Sequence, residues 1–152
     1  MSKVKKTKDG SYTVYNKSVD EYYHSLHGAF QESMHVFINK GVECILKNEF
    51  SVFEMGFGTG LNALITAFHA ELKKKKIYYT SIEKFPLNQG TIRNIKISDF
   101  IQKDDPQKFF EELHQISWGE DHQINEYFTL HKIKGDLTEY SISGYFDLVF
   151  FD

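Results

Sequence analysis

The order of apolar and polar residues divides the chain into short segments of two kinds. Residues 4–15 read as a hairpin, because Asp9-Gly10 is a tight-turn signal and Thr13, Val14 and Tyr15 favour extended structure. From 19 to 47 the apolar positions recur at helical spacing. Tyr22, Leu26, Ala29 and Phe30 form one stripe; Phe37, Ile38, Val42, Ile45 and Leu46 form a second. This predicts two helices, broken near Gly28 or Gly41. A continuous apolar run at 51–55 reads as a buried strand, which stops at Gly56, Gly58 and Gly60, and a helical pattern fills 61–72.

A strand follows at 77–82 and then a helix over about 87–95, with Pro86 suited to its start. Asp104-Asp105-Pro106 starts a helix carrying Phe109, Phe110, Leu113 and Ile116 on one face, closed by Trp118-Gly119. We read it as a helical layer inserted over the sheet, near the mouth of a site, with Trp118 in the core. A third strand spans 127–133. A fourth spans 145–151 and is apolar throughout after Asp147, which predicts a central place in a parallel sheet. The alternation predicts an α/β fold of the Rossmann-like class. Its expected units are an N-terminal hairpin and helical extension over 1–48 and a ligand-binding domain over 49–152.

Composition narrows the classes. With 152 residues, 41% hydrophobic and 26% charged, the chain is long enough to bury a core and is neither disordered nor fibrous. A net charge of −3 gives no general basic field, so any RNA contact has to be a local patch. Lys3, Lys5, Lys6 and Lys8 read as a solvated edge or as such a patch. The run Lys73 to Lys76 complements the dipole at a helix C-terminus. Cys44 is the single cysteine, which excludes an intrachain disulfide and fits a reducing compartment; its apolar surroundings predict a core position. No apolar run reaches membrane-spanning length and the N-terminus lacks a signal-peptide pattern, so a cytoplasmic chain is expected. His24, His27 and His35 lack ligand partners at suitable spacing, and no metal is expected.

The chemistry concentrates at Glu54-Met55-Gly56-Phe57-Gly58-Thr59-Gly60. Strand, glycine turn and helix bring a ligand close to backbone N–H groups. A dinucleotide fingerprint requires glycine at position 61, which is Leu61, and a phosphate-binding P-loop requires Lys-Ser/Thr after Gly60, where the chain has Leu61-Asn62. The remaining pattern, E-x-G-x-G-x-G, is that of S-adenosylmethionine (SAM) methyltransferases; the alternative is a purely structural turn. Glu83 lies 23 residues beyond Gly60, at a strand end where an acid can accept from both hydroxyls of a ribose. Asp136, in Gly135-Asp136-Leu137, can accept from an adenine amino group or can serve only as a turn residue.

Taken together, 54–62 (E-M-G-F-G-T-G-L-N), 81–87 (S-I-E-K-F-P-L), 134–137 (K-G-D-L) and 147–152 (D-L-V-F-F-D) resemble the tRNA 5-methylaminomethyl-2-thiouridine methyltransferases, stand-alone or as half of a bifunctional protein. The segment 23–37 is similar to theirs as well. The resemblance implies transfer of a methyl group from SAM to the aminomethyl nitrogen of a modified wobble uridine in tRNA. It implies that Glu54, Gly56, Phe57, Gly58, Thr59 and Gly60 line the methionine side, that Glu83 holds the ribose, that Asp136 and Leu137 hold the adenine, and that Asn62 and Lys84 also belong to the cofactor site. It places Asp152 beside the transferring methyl as the catalytic residue. It also implies further strands and a substrate loop after the fourth strand, so the chain is expected to be truncated, with an apolar edge prone to pair. Binding of SAM or S-adenosylhomocysteine without turnover, and methylation of a small molecule, are the alternatives.

Overall fold

The computed structural model describes residues 3–18 and 20–151. Strands β1 (Lys3–Lys6), β2 (Tyr12–Asn16) and β3 (Glu21–Tyr22) form an antiparallel sheet in that order. The turn between β1 and β2 is held by Asp9, whose carboxylate accepts from Thr7 and Ser11 and from the Gln31 backbone N–H at 2.9 Å. The hairpin is therefore as the residues predict, but the helix expected from 19 onward is not. Tyr23 N donates to Val14 O at 3.0 Å and Lys8 N to Leu26 O at 3.1 Å, so this stretch is spent on pairing with the hairpin. Val19 lies outside the described residues. Helix begins only at α1 (Ala29–Ser33), continues as a π turn over Met34–Asn39, breaks at Gly41, and resumes as a single 3-10 turn, Val42–Cys44. Cys44 is exposed there, because this last turn shows that side chain to solvent.

The main sheet contains β4 (Glu49–Met55), β5 (Lys76–Glu83), β6 (Asp121–Asn125), β7 (Phe128–Lys134) and β8 (Leu148–Phe151), ordered β6-β7-β5-β4-β8. All pairs are parallel except β6 with β7. This is a Rossmann-like α/β fold. The order reverses at β4: β5 and β7 extend the sheet on one side, and β8 returns to the other. In open α/β sheets such a switch point opens a crevice at the carboxyl ends of the strands.

Residue alternation sends Phe50 and Val52, Ile77 and Tyr79, Phe128 and Leu130, and Phe150 to one face. There they form the main core with α2 (Leu61–Lys73) and α4 (Pro106–Gln115). The opposite face holds only a small cluster of Phe53, Ile82 and Ile133, backed by Met55, Leu137 and Phe146. Among the described residues β8 pairs only with β4, and Val149 and Phe151, on the face of the small cluster, are 54% and 77% exposed. α3 (Gln89–Arg93) is shorter than the apolar spacing suggests. Asn88, and not Pro86, caps it, its side chain accepting from Thr91 N at 2.9 Å. Trp118 packs half-buried against the core, as expected.

Candidate functional site

At the end of β4 the chain turns sharply into α2. Gly56 N still donates to Ile82 O at 2.9 Å, so the ladder with β5 runs to the lip of the turn. Gly60 N then donates to Phe57 O at 2.7 Å, and Gly60 O accepts from Leu64 N at 2.9 Å to start the helix. Two glycines are required by geometry. Gly58 has φ +51°, and a Cβ there would stand 3.2 Å from the Tyr23 ring. Gly60 has φ +74°, and a Cβ there would stand 3.0 Å from Phe57 and 3.1 Å from His114.

The turn opens into a cleft of about 190 Å3 between Asn16, Tyr23 and His24 on one side and Met55 to Gly58, Asn62 and Glu83 on the other. Glu83, at the tip of β5, is the carboxylate of this cleft. It accepts from Gly58 N at 2.9 Å and from Phe85 N at 2.7 Å, which leaves acceptor capacity on both oxygens. No lysine or arginine is among the lining residues. A cleft with a carboxylate and no cation suits hydroxyl and cationic groups and disfavours phosphate.

The other predicted residues stand around this cleft in different ways. Gly56, Phe57, Gly58 and Asn62 line it; Thr59 and Gly60 complete the turn. Glu54 is 1% exposed and lies behind the turn, accepting from Ser81 Oγ at 2.7 Å. Asp136 follows β7 and is held by Lys84 and by Thr138, whose N–H and hydroxyl both donate to it. The Lys84 ammonium, then the Thr138 bonds, pull the Asp136 carboxyl down to about 2. Lys84, Asp136 and Leu137 are not among the residues lining the cleft; Lys84 follows Glu83 at the tip of β5, and Asp136 and Leu137 sit one strand tip away, across the Glu83–Lys134 pairing. Asp152 lies outside the described residues.

The apolar pattern gave no signal for two clamps on the turn. His24 Nε2 is 3.3 Å from Thr59 Oγ1. From the opposite side, His114 on α4 donates from Nε2 to Thr59 O at 2.9 Å. Burial pulls the His114 imidazole down to about 4, against the Thr59 bond, so the ring is neutral at pH 7. Behind it Lys132 is fully buried. Its ammonium donates to Leu113 O at 2.8 Å and His114 O at 3.2 Å, and it lies 4.6 Å from the Trp118 ring and 5.4 Å from that of Phe57. It serves as a helix C-cap supplied from β7, and burial lowers it to about 8. Lys132, Ser81 and Glu54 are in register across β7, β5 and β4, a buried polar row beneath the glycine turn. These residues are dispersed along the chain, so only the folded sheet brings them together.

Among the described residues no group of three His, Cys, Asp or Glu side chains is placed to hold a metal ion, and no helix is long and apolar enough to cross a membrane.

No family model matches the chain. It is 38% identical over 88 residues to the tRNA 5-methylaminomethyl-2-thiouridine biosynthesis bifunctional protein MnmC of Leptospira interrogans, an alignment covering 53% of this chain and 14% of that protein. The protein of the same name from Campylobacter hominis is 37% identical over 78 residues, covering 50% of this chain and 12% of the relative. The crystal structure of MNMC2 from Aquifex aeolicus superposes with a TM-score of 0.64 at 25% identity, covering 90% of this chain and 43% of that one. The chain thus spans a minor part of each relative's length.

Proposed function

The chain is a relative of the MnmC proteins, and from that premise we propose that it is the SAM-binding part of a tRNA methyltransferase acting on the aminomethyl group of a modified wobble uridine. The observation that carries the reading is the cleft at the carboxyl end of β4. It has a carboxylate, Glu83, a bare glycine turn and no cation among its lining residues. That donor and acceptor set fits an adenosyl ligand bearing a sulfonium and no phosphate.

Bound SAM supplies an electrophilic methyl group on sulfur. In this reading Glu83 accepts from the ribose hydroxyls with the oxygen capacity left by its two backbone bonds. The turn from Gly56 to Gly60 follows the methionine side, and Glu54 and Asn62, both buried, stiffen the strand end and the first turn of α2. Asp136 and Leu137 receive the adenine, with Lys84 holding the carboxylate of Asp136. Asp152 follows β8, the strand beside β4, and orients the N–H of the incoming amine before taking a proton. Transfer of that methyl to the amine would leave one proton on the nitrogen to be removed, and Asp152 would accept it. The chain's share of the catalysis is mainly positioning, because the sulfonium charge disappears as the methyl moves.

Incubation of the protein with methyl-labelled SAM and tRNA carrying the 5-aminomethyl-2-thiouridine precursor tests this. Label in that nucleoside is the expected result. Binding of S-adenosylhomocysteine without any label in tRNA would reduce the reading to a cofactor-binding module.

A further inference from the structure

The N-terminal sheet reaches over the glycine turn. The Tyr23 ring lies against Gly58, its Cδ2 and Cε2 atoms 3.2 and 3.7 Å from where a Cβ on that glycine would stand. Its backbone is fixed to β2 through Tyr23 N and Val14 O at 3.0 Å, and His24 is fixed by Thr13, whose hydroxyl donates to His24 O at 3.1 Å and accepts from His24 N at 2.9 Å. Asn16, at the end of β2, lines the same cleft. The wall facing the strand tips is therefore built by residues some 30 or more positions before the turn they cover.

We propose that Tyr23 is a ligand-contacting residue that closes the cleft opposite Glu83 and favours an adenosyl ligand over a phosphorylated nucleotide. This rests on the adenosyl reading of the site. Two facts carry it. At about 190 Å3 the cleft is narrower than the ~300 Å3 at which small-molecule sites usually begin, so an occupant cannot avoid its walls. Tyr23 also presents a ring and a neutral hydroxyl, since burial and then the Glu83 charge push the phenol further up. An aromatic wall facing a carboxylate offers stacking and a hydroxyl but nothing to neutralise a phosphate.

Calorimetric titration with S-adenosylhomocysteine of the wild type and of Tyr23→Leu, Tyr23→Phe, Tyr23→Trp and Tyr22→Ala tests it. Leucine keeps an apolar group against Gly58, phenylalanine keeps the ring, tryptophan overfills the cleft, and Tyr22 is an exposed neighbour on β3. The expected result is a loss of about tenfold or more for Tyr23→Leu and for Tyr23→Trp, a change within about threefold for Tyr23→Phe, and none for Tyr22→Ala. If leucine prevents folding, the tryptophan variant decides the matter. Wild-type affinity in both the leucine and tryptophan variants overturns the role of Tyr23 and leaves the adenosyl reading standing. Absence of binding by the wild type overturns both.

Discussion

Glu83→Gln is the sharpest perturbation of the site, because it changes one atom in a side chain that ties three pieces of backbone together. The carboxylate uses one oxygen for Gly58 N at 2.9 Å and the other for Phe85 N at 2.7 Å. An amide has only one accepting oxygen. Whichever way it turns, an NH2 group faces one of the two backbone N–H groups, and that bond becomes a donor–donor contact. A hydrogen bond to a charged group contributes about 1.5–3 kcal/mol, and water can reach this half-buried position, so the lower end applies. We expect a loss of about 1–2 kcal/mol in stability, which for a chain of this size lowers Tm by roughly 2–8 °C. Affinity for S-adenosylhomocysteine should fall by a further ~1–3 kcal/mol, or about 5–150-fold, because the lost oxygen is also a ribose acceptor. Circular dichroism melts without ligand measure the first effect, and calorimetry on the folded variant measures the second. A variant that melts with the wild type and binds within about twofold of it would refute the reasoning.

Three further outcomes follow from the same contacts. Gly58→Ala combines a left-handed backbone with a Cβ 3.2 Å from the Tyr23 ring, and should cost about 1–3 kcal/mol in urea unfolding; a loss below about 0.5 kcal/mol would mean the turn is not constrained there. The His114 imidazole takes a proton near 6.5 when unfolded and, held down by burial, at about 4 when folded, so between those values the unfolded chain holds more protons. Stability from this group is full above pH 6.5 and declines toward pH 4. Wild type should lose about 1–2 kcal/mol more than His114→Gln between pH 7 and pH 5 in urea titrations, and parallel profiles would argue against the burial of the ring. Along β8, Val149 and Phe151 form an exposed apolar edge. Phe151→Lys should raise the protein concentration at which light scattering reports self-association, whereas a wild type that stays monodisperse would show the edge to be harmless.

The parts of the fold governed by local pattern were legible in the residues. Apolar continuity marked β4, the glycines set its end, and helical spacing gave α2 within a residue of its observed length. Where tertiary pairing overrode spacing, the reading failed. Residues 21–28 carry helix-like apolar positions but are held by bonds to β2 and the hairpin turn. β6 has the polar sequence D-H-Q-I-N and is a strand only because β7 offers it an edge. In the site, Glu83 and the glycine turn were readable from spacing. Tyr23, His114 and Lys132 were not, since each reaches the turn through folding of a distant segment.

The most direct measurement is calorimetric titration of the protein with S-adenosylhomocysteine, SAM, NAD and ATP. Saturable 1:1 binding of the two adenosyl sulfur compounds is expected, with no measurable binding of either phosphate-bearing nucleotide. Equal binding of NAD or ATP, or no binding of the sulfur compounds, would contradict the adenosyl reading.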